Sequence, residues 1–175
     1  MTDNSTKTTD DHDHDHDLLK ASPSPLPRDD DDENDEYSDS HSHSEYYNVY
    51  WVESSGMPRN HVAIFVETHE SGLDTGHNFQ VSGNIQQGMY HNHRPGKKPE
   101  EDEQSAFFSK RVIGKPPKSV YDDGQFRRVC DLVEPPPKQF NGPQRLVPRS
   151  KPLRRCGEWA GEAVKRLRSE GILVV

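Results

Sequence analysis

The sequence is short of what a disulfide-built, membrane-spanning or uniformly packed protein needs. Its two cysteines, Cys130 and Cys156, in 175 residues are too few for a disulfide framework, and in a reducing compartment both are expected as free thiols. No apolar run approaches the roughly 18 residues of a membrane span, so none is expected. The residues after Met1 are polar, where a secretory leader would have a basic start and an apolar stretch; the expected location is cytoplasmic or nuclear. Apolar residues make up only 29% of the chain and the mean hydropathy is -1.10, so some of the chain must lie outside any core.

The charge shows which part. Residues 1–44 carry 14 acids and 3 bases, net -11, whereas 45–175 carry 16 acids and 19 bases, net +3. Apolar residues divide the same way, 6 in the first 44 positions and 44 in the remaining 131. The first stretch alternates Asp and His from Asp11 to Asp17, spaces prolines from Pro23 to Pro27, and runs acidic from Asp29 to Glu36. Such a segment cannot bury enough apolar surface to offset its ordering entropy. The expectation is a disordered acidic tail over 1–44 and one modest domain over 45–175. Alternating His and Asp offers nitrogen and oxygen ligands, but nothing holds them in a geometry, so no metal or other cofactor is expected. The acid block suits a basic protein partner or simple solubility, and solubility is the favoured reading.

From Tyr46 the composition turns aromatic and β-branched, as in a strand. His61 to Glu67 is a nearly continuous apolar run of strand length, fitting a central strand covered on both faces. Asn78 to Val81 alternates, Ser82-Gly83-Asn84 offers turn residues, and Ile85 to His91 returns, which reads as a hairpin. Residues 91–104 read as a polar exposed excursion and Ala106 to Ile113 as a fifth strand. A helix is expected over about Val120 to Val133, stopped by Pro135-Pro136-Pro137. A second follows from Cys156, where positions 156, 159, 160, 163, 164 and 167 share one helical face, with Gly171 as its stop. Strands first and helices last predict an α+β fold, a mostly antiparallel sheet of about five strands with the C-terminal helices packed on one side.

The chemistry-bearing residues are few. Cys156 falls in the first turn of the last helix, where unpaired N–H groups and the helix dipole favour a thiolate over a thiol of ordinary pKa roughly 8.5; Arg154 and Arg155 would add positive charge. A thiolate so placed becomes a nucleophile if an imidazole can take and return its proton and a third polar residue orients the ring. His61 is the candidate base. It shares a strand face with Ala63 and Phe65, and small Ala63 would leave room for a helix end or a substrate. Gln80 is the first choice as orienting residue, with Asn78 and His77 as alternatives. Against this stands a packing reading, since a cysteine on an apolar helical stripe is usually core. Cys130, mid-helix among apolar neighbours, is assigned to the core. His69, His77, His91 and His93 are expected in solvent, and His91 with His93 would hold a metal only with ligands from elsewhere.

The order of these parts, histidine strand first and cysteine helix last, resembles the permuted branch of papain-like hydrolases. That branch includes the lecithin:retinol acyltransferase-like proteins and the permuted deubiquitinase-like peptidases. His61-Val62-Ala63-Ile64-Phe65 resembles their histidine strand and Arg155-Cys156-Gly157-Glu158-Trp159 their cysteine helix start. The chain is also similar to small fungal proteins of unknown function with an R-C-x-E-W helix, here Arg155 to Trp159, after a P-P-K-Q-F segment, here Pro136 to Phe140. The resemblance spans roughly Tyr46 to Val175 and implies a permuted papain-like fold with a Cys-His site. Two positions depart from it: Gln80 or Asn78 stands where the acyltransferase relatives tend to carry a second histidine, and Arg155 where they often carry asparagine.

Two functions follow as expectations. One is a thiol-dependent hydrolase or acyltransferase acting on an acyl, peptide or isopeptide substrate, with Cys156 as nucleophile, His61 as general base and acid, and Gln80 orienting the ring. The other is an inactive binding or interaction module on the same fold. Nucleic-acid binding is not expected, because a net charge of +3 over 131 residues is a feeble attraction that the acidic tail opposes.

Overall fold

A computed structural model describes residues 44–102 and 106–175. The acidic tail expected over 1–44 lies, but for Ser44, outside the described residues. The first strand, β1 (Asn48–Ser54), and the second, β2 (His61–Glu67), pair antiparallel from Asn48 opposite Glu67 to Ser54 opposite His61. β3 (Gly76–Phe79) lies on the other side of β2. β4 (Val81–Asn84) and β5 (Gly88–His91) form a separate two-stranded ribbon. β6 (Arg94–Gly96) pairs with β3 at one edge of the main sheet, and β7 (Phe107–Gly114) pairs with β1 at the other. The result is a five-stranded antiparallel sheet in the order β6-β3-β2-β1-β7, with β2 at its centre and Val62 to Glu67 buried on both faces. The fold is α+β, as expected.

Membership of the sheet differs from the expectation in three places. Ser82-Gly83-Asn84 is strand, and the reversal falls on Ile85-Gln86-Gln87. The hairpin strand 88–91 is not part of the main sheet; its fifth member is β6, inside the stretch expected to be an excursion. Pro95 is tolerated there because β6 is an edge strand that need not donate outward. β3 crosses so close to β2 that a Cβ on Gly76 would stand 1.9 Å from the Val66 carbonyl oxygen. No side chain fits at that position.

Helices follow on one face. The helix expected over 120–133 is two, α1 (Lys118–Asp122) and α2 (Gln125–Asp131), separated at Gly124, whose φ of 74° is left-handed. A short hairpin of β8 (Phe140–Asn141) and β9 (Gln144–Arg145) turns at Gly142. It leads to α3 (Cys156–Ser169), which ends where Gly171 takes a φ of 70°. Trp159, Ala160, Ala163, Val164 and Leu167 of α3 and Phe126, Val129 and Cys130 of α2 join Val62, Ile64 and Val66 of β2 in one core cluster, with Phe126 against Phe79 of β3. Each large apolar side chain buried this way contributes about 1.5–3 kcal/mol relative to exposure. Ala160 and Ala163, both fully buried, keep the helix close to the sheet. Among the described residues no helix is long and apolar enough to cross a membrane.

Candidate functional site

His61 is the first residue of β2 and Cys156 the first of α3, and the two meet. The thiol and the imidazole lie close enough that each shifts the other's pKa. His61 Nε2 lies 2.8 Å from Gln80 Oε1. A carboxamide oxygen only accepts, so Nε2 carries the proton and donates it to Gln80, which leaves Nδ1 for the sulfur. The sulfur also lies 4.0 Å from the Asn60 carbonyl oxygen.

The route by which they meet differs from the expectation. α3 covers the Val62–Ile64–Val66 face of β2, whereas His61, by strand alternation, belongs with Ala63 and Phe65 on the opposite face. Ala63 therefore makes no room for the helix. It lines, with Asn78, Gln80, Asn92 and Arg94, a hollow of about 520 Å³ that His61 also lines. Cys156 and His61 meet because each opens its element, and the sulfur sits by the backbone of Asn60 and Val62, the residues on either side of His61. A larger cleft of about 860 Å³ opens there, walled by Met57, Arg59, Val81, Ile85, Met89 and Arg155, with Cys156 and His61 in its lining. Neither residue is sealed in the core.

The alternatives for the third residue are placed elsewhere. Asn78 sits against Gly96, where a glycine Cβ would stand 2.4 Å from its Nδ2. His77 Nδ1 lies 2.9 Å from the Tyr121 hydroxyl, with Glu70 at 3.6 Å from its Nε2. Of the three, only Gln80 hydrogen-bonds His61.

The electrostatics bring the thiol and imidazole pKa values towards each other. Burial pushes the Cys156 thiol up, but the hydrogen bond with His61, the backbone N–H of Val62, the charge on the ring and the backbone N–H of Gly157 together hold it below its ordinary value. The same hydrogen bond with Cys156 raises His61; burial opposes it, Gln80 and the sulfur's charge reinforce it, and Arg94 works against it. Arg154, expected to add charge near the sulfur, does not point there. Its guanidinium bonds both carboxylate oxygens of Glu162 and, at 3.0 Å, the carbonyl of Glu134. Cys130 is fully buried in the core and pushed far up by burial and by Asp131. The two thiols of the chain are thus electrostatically opposite.

Three supports were missed in the sequence. Gln139, 2% exposed, donates from Nε2 to the Arg154 carbonyl at 2.6 Å and accepts the Arg154 N–H on Oε1 at 2.9 Å, pinning the chain two residues before Cys156. The Glu158 carboxylate accepts the Arg155 N–H at 2.8 Å and so caps the helix from inside. His93 is the third support. Expected in solvent, its side chain is only 4% exposed. Its Nδ1 accepts the Gln80 N–H at 3.3 Å and its Nε2 lies 3.0 Å from Asp131 Oδ1. His91 is not free either, with Nε2 3.0 Å from the Val133 carbonyl.

His91, His93 and Asp131 bring three ligand atoms within 4.8 Å of one another, and Asp131 is the ligand from elsewhere that the sequence did not point to. Because His93 Nδ1 accepts from Gln80, its proton sits on Nε2, the nitrogen a metal would need, and is already given to Asp131. The cluster is satisfied as a hydrogen-bond network.

No curated protein and no solved structure matches the chain. One family model does, described as a family of unknown function, DUF6540, over residues 49–174. The match runs from β1 past the end of α3 and takes in His61, Gln80 and Cys156, and the chain belongs to the DUF6540 family.

Proposed function

We propose that this protein is a thiol-dependent hydrolase or acyltransferase of permuted papain-like type, with Cys156 as nucleophile, His61 as general base and acid, and Gln80 holding the ring. The observation that carries the reading is the His61 ring, tied through one nitrogen to Gln80 and through the thiol to a part-exposed Cys156 at an open cleft. In the proposed reaction the Cys156 sulfur attacks a carbonyl carbon. The imidazolium of His61 gives its proton to the departing amine, thiolate or alkoxide, leaving an acyl-enzyme thioester. A water, or an acceptor nucleophile, then gives its proton back to His61 as it releases the acyl group. In this reading backbone N–H groups of the first turn of α3, which have no acceptor within the helix, hold the developing oxyanion.

The test uses an activated ester, p-nitrophenyl acetate. A burst of p-nitrophenolate with an acetyl adduct on Cys156, absent in Cys156→Ser, supports the reading. No adduct on Cys156, with both cysteines modified equally slowly by a thiol reagent, leaves the interaction module in its place.

A further inference from the structure

Beside the cleft lies a second hollow of about 320 Å³, lined by Arg59, Arg145, Arg149, Lys151, Arg155 and Glu158 together with Pro152 and Leu153. Arg59, Arg155 and Glu158 also line the Cys156 cleft, so the two spaces adjoin. We propose that this hollow is an anion subsite, and that the substrate of the Cys156 chemistry carries a phosphate or carboxylate group that seats there. The proposal rests on the thiol reading given above and adds the substrate class to it.

Five cations face one carboxylate, and that carboxylate is already engaged. Glu158 lies 3.4 Å from Arg59 and accepts the backbone N–H of Arg155. Among the described residues no carboxylate pairs with Arg145, Arg149, Lys151 or Arg155. Cations gathered round one hollow repel each other, and an anion placed among them relieves that repulsion. Arg145 makes the arrangement specific. Its Nη2 donates to the carbonyls of Pro148, at 3.4 Å, and Lys151, at 2.5 Å, which holds the guanidinium still, while its Nε is buried without any partner. A guanidinium held still by its own loop adds a fixed, permanent positive charge to the hollow. The cations converge on one hollow and do not run along a track, which favours a single anionic group over a nucleic-acid strand.

Two measurements test this on the full chain. Calorimetric titration with inorganic pyrophosphate and with glutarate reads the subsite independently of any thiol chemistry, and the ligand that binds identifies phosphate or carboxylate. Saturable binding lost in the Arg149→Gln, Lys151→Gln double variant supports the subsite; both side chains are exposed, and that loop is held through Arg145 and the backbone. Binding of neither ligand, or binding indifferent to the substitutions, overturns it. The second measurement is labelling of Cys156 by a maleimide bearing a hexanoate chain against its uncharged carboxamide. The acid is expected to react about tenfold faster, the ratio of one charge-assisted hydrogen bond, and the double variant to bring that ratio towards unity. Rapid labelling by both compounds at equal rates keeps the nucleophile and overturns the substrate assignment. Labelling of Cys156 no faster than Cys130 by either compound defeats the thiol reading itself.

Discussion

Removing the His61 ring tests the proposed chemistry at its centre. In His61→Ala the burial that pushes the Cys156 thiol up remains, while the hydrogen bond and the charge of the ring go, leaving the N–H groups of Val62 and Gly157 as the remaining named stabilisers of a thiolate. The thiol pKa therefore rises. A hydrogen bond to a charged group is worth ~1.5–3 kcal/mol, and partial exposure of the sulfur puts it near the lower end, ~1.5–2 kcal/mol. That lowers the thiolate fraction at neutral pH by about twelve- to thirtyfold. The residual thiolate is more nucleophilic, with a Brønsted slope of ~0.4–0.5, so the net loss of rate is about four- to sevenfold. The assay is alkylation by iodoacetamide across the pH range, with the Cys156 and Cys130 peptides quantified separately by mass spectrometry. In the wild type the Cys156–His61 pair titrates as a unit, and labelling sets in below the ordinary thiol range; in the variant it follows one curve displaced to higher pH. Superimposable curves for the two proteins, or labelling of Cys130 at the rate of Cys156, would refute the coupling of thiol and imidazole.

Three other outcomes follow from the supports of the site. Gln80→Leu removes the acceptor that helps keep His61 protonated, and labelling of Cys156 at neutral pH falls by about two- to tenfold, the range of a single hydrogen bond; an unchanged rate would show that Gln80 does not orient the ring. Gln139→Leu strands the part-buried N–H and carbonyl of Arg154 and costs about 1–3 kcal/mol in urea denaturation, while a loss under about 0.5 kcal/mol, the level of a neutral surface change, would mean water replaces it. His93 is held below its ordinary pKa by burial, against the pull of Asp131. The unfolded chain then binds more protons than the folded one, so the stability His93 contributes is full above the unfolded value of about 6.5 and is lost as pH falls through the lower folded value. His93→Gln should flatten the fall in melting temperature on mild acidification, and an equal fall in both proteins would sink the assignment.

What could be read from the sequence was what is local and periodic. β2 announced itself as seven residues of which five in a row, Val62 to Val66, are apolar, and α3 as a stripe whose members 159, 160, 163, 164 and 167 are all buried. β6 has no such signal, because three residues including a proline join the sheet through pairing with β3 alone. The helix break at Gly124 was signalled by Asp122-Asp123-Gly124, a turn tripeptide overridden by the apolar spacing on either side. Gln139 and His93 were illegible for a different reason. Each acts on a backbone group 15 or 13 residues away, and a carboxamide or imidazole aimed at a backbone looks in a sequence like any polar residue of a loop.

The two cysteines show where periodicity stops being a guide. Both lie on helical faces turned to the sheet, and the packing reading applied to either. Cys130 is mid-helix and fully buried within the core cluster. Cys156 is on the same kind of stripe, but it opens its helix where β2 opens at His61, opposite the last residue of β1. Its sulfur there has the Asn60 carbonyl, the Val62 N–H and the His61 ring as neighbours. The first turn of a helix carries unpaired N–H groups, and at the end of a strand it can reach a side chain that alternation assigns to the other face. That position is why burial pushes one thiol far up while the other is held below its ordinary value beside an imidazole.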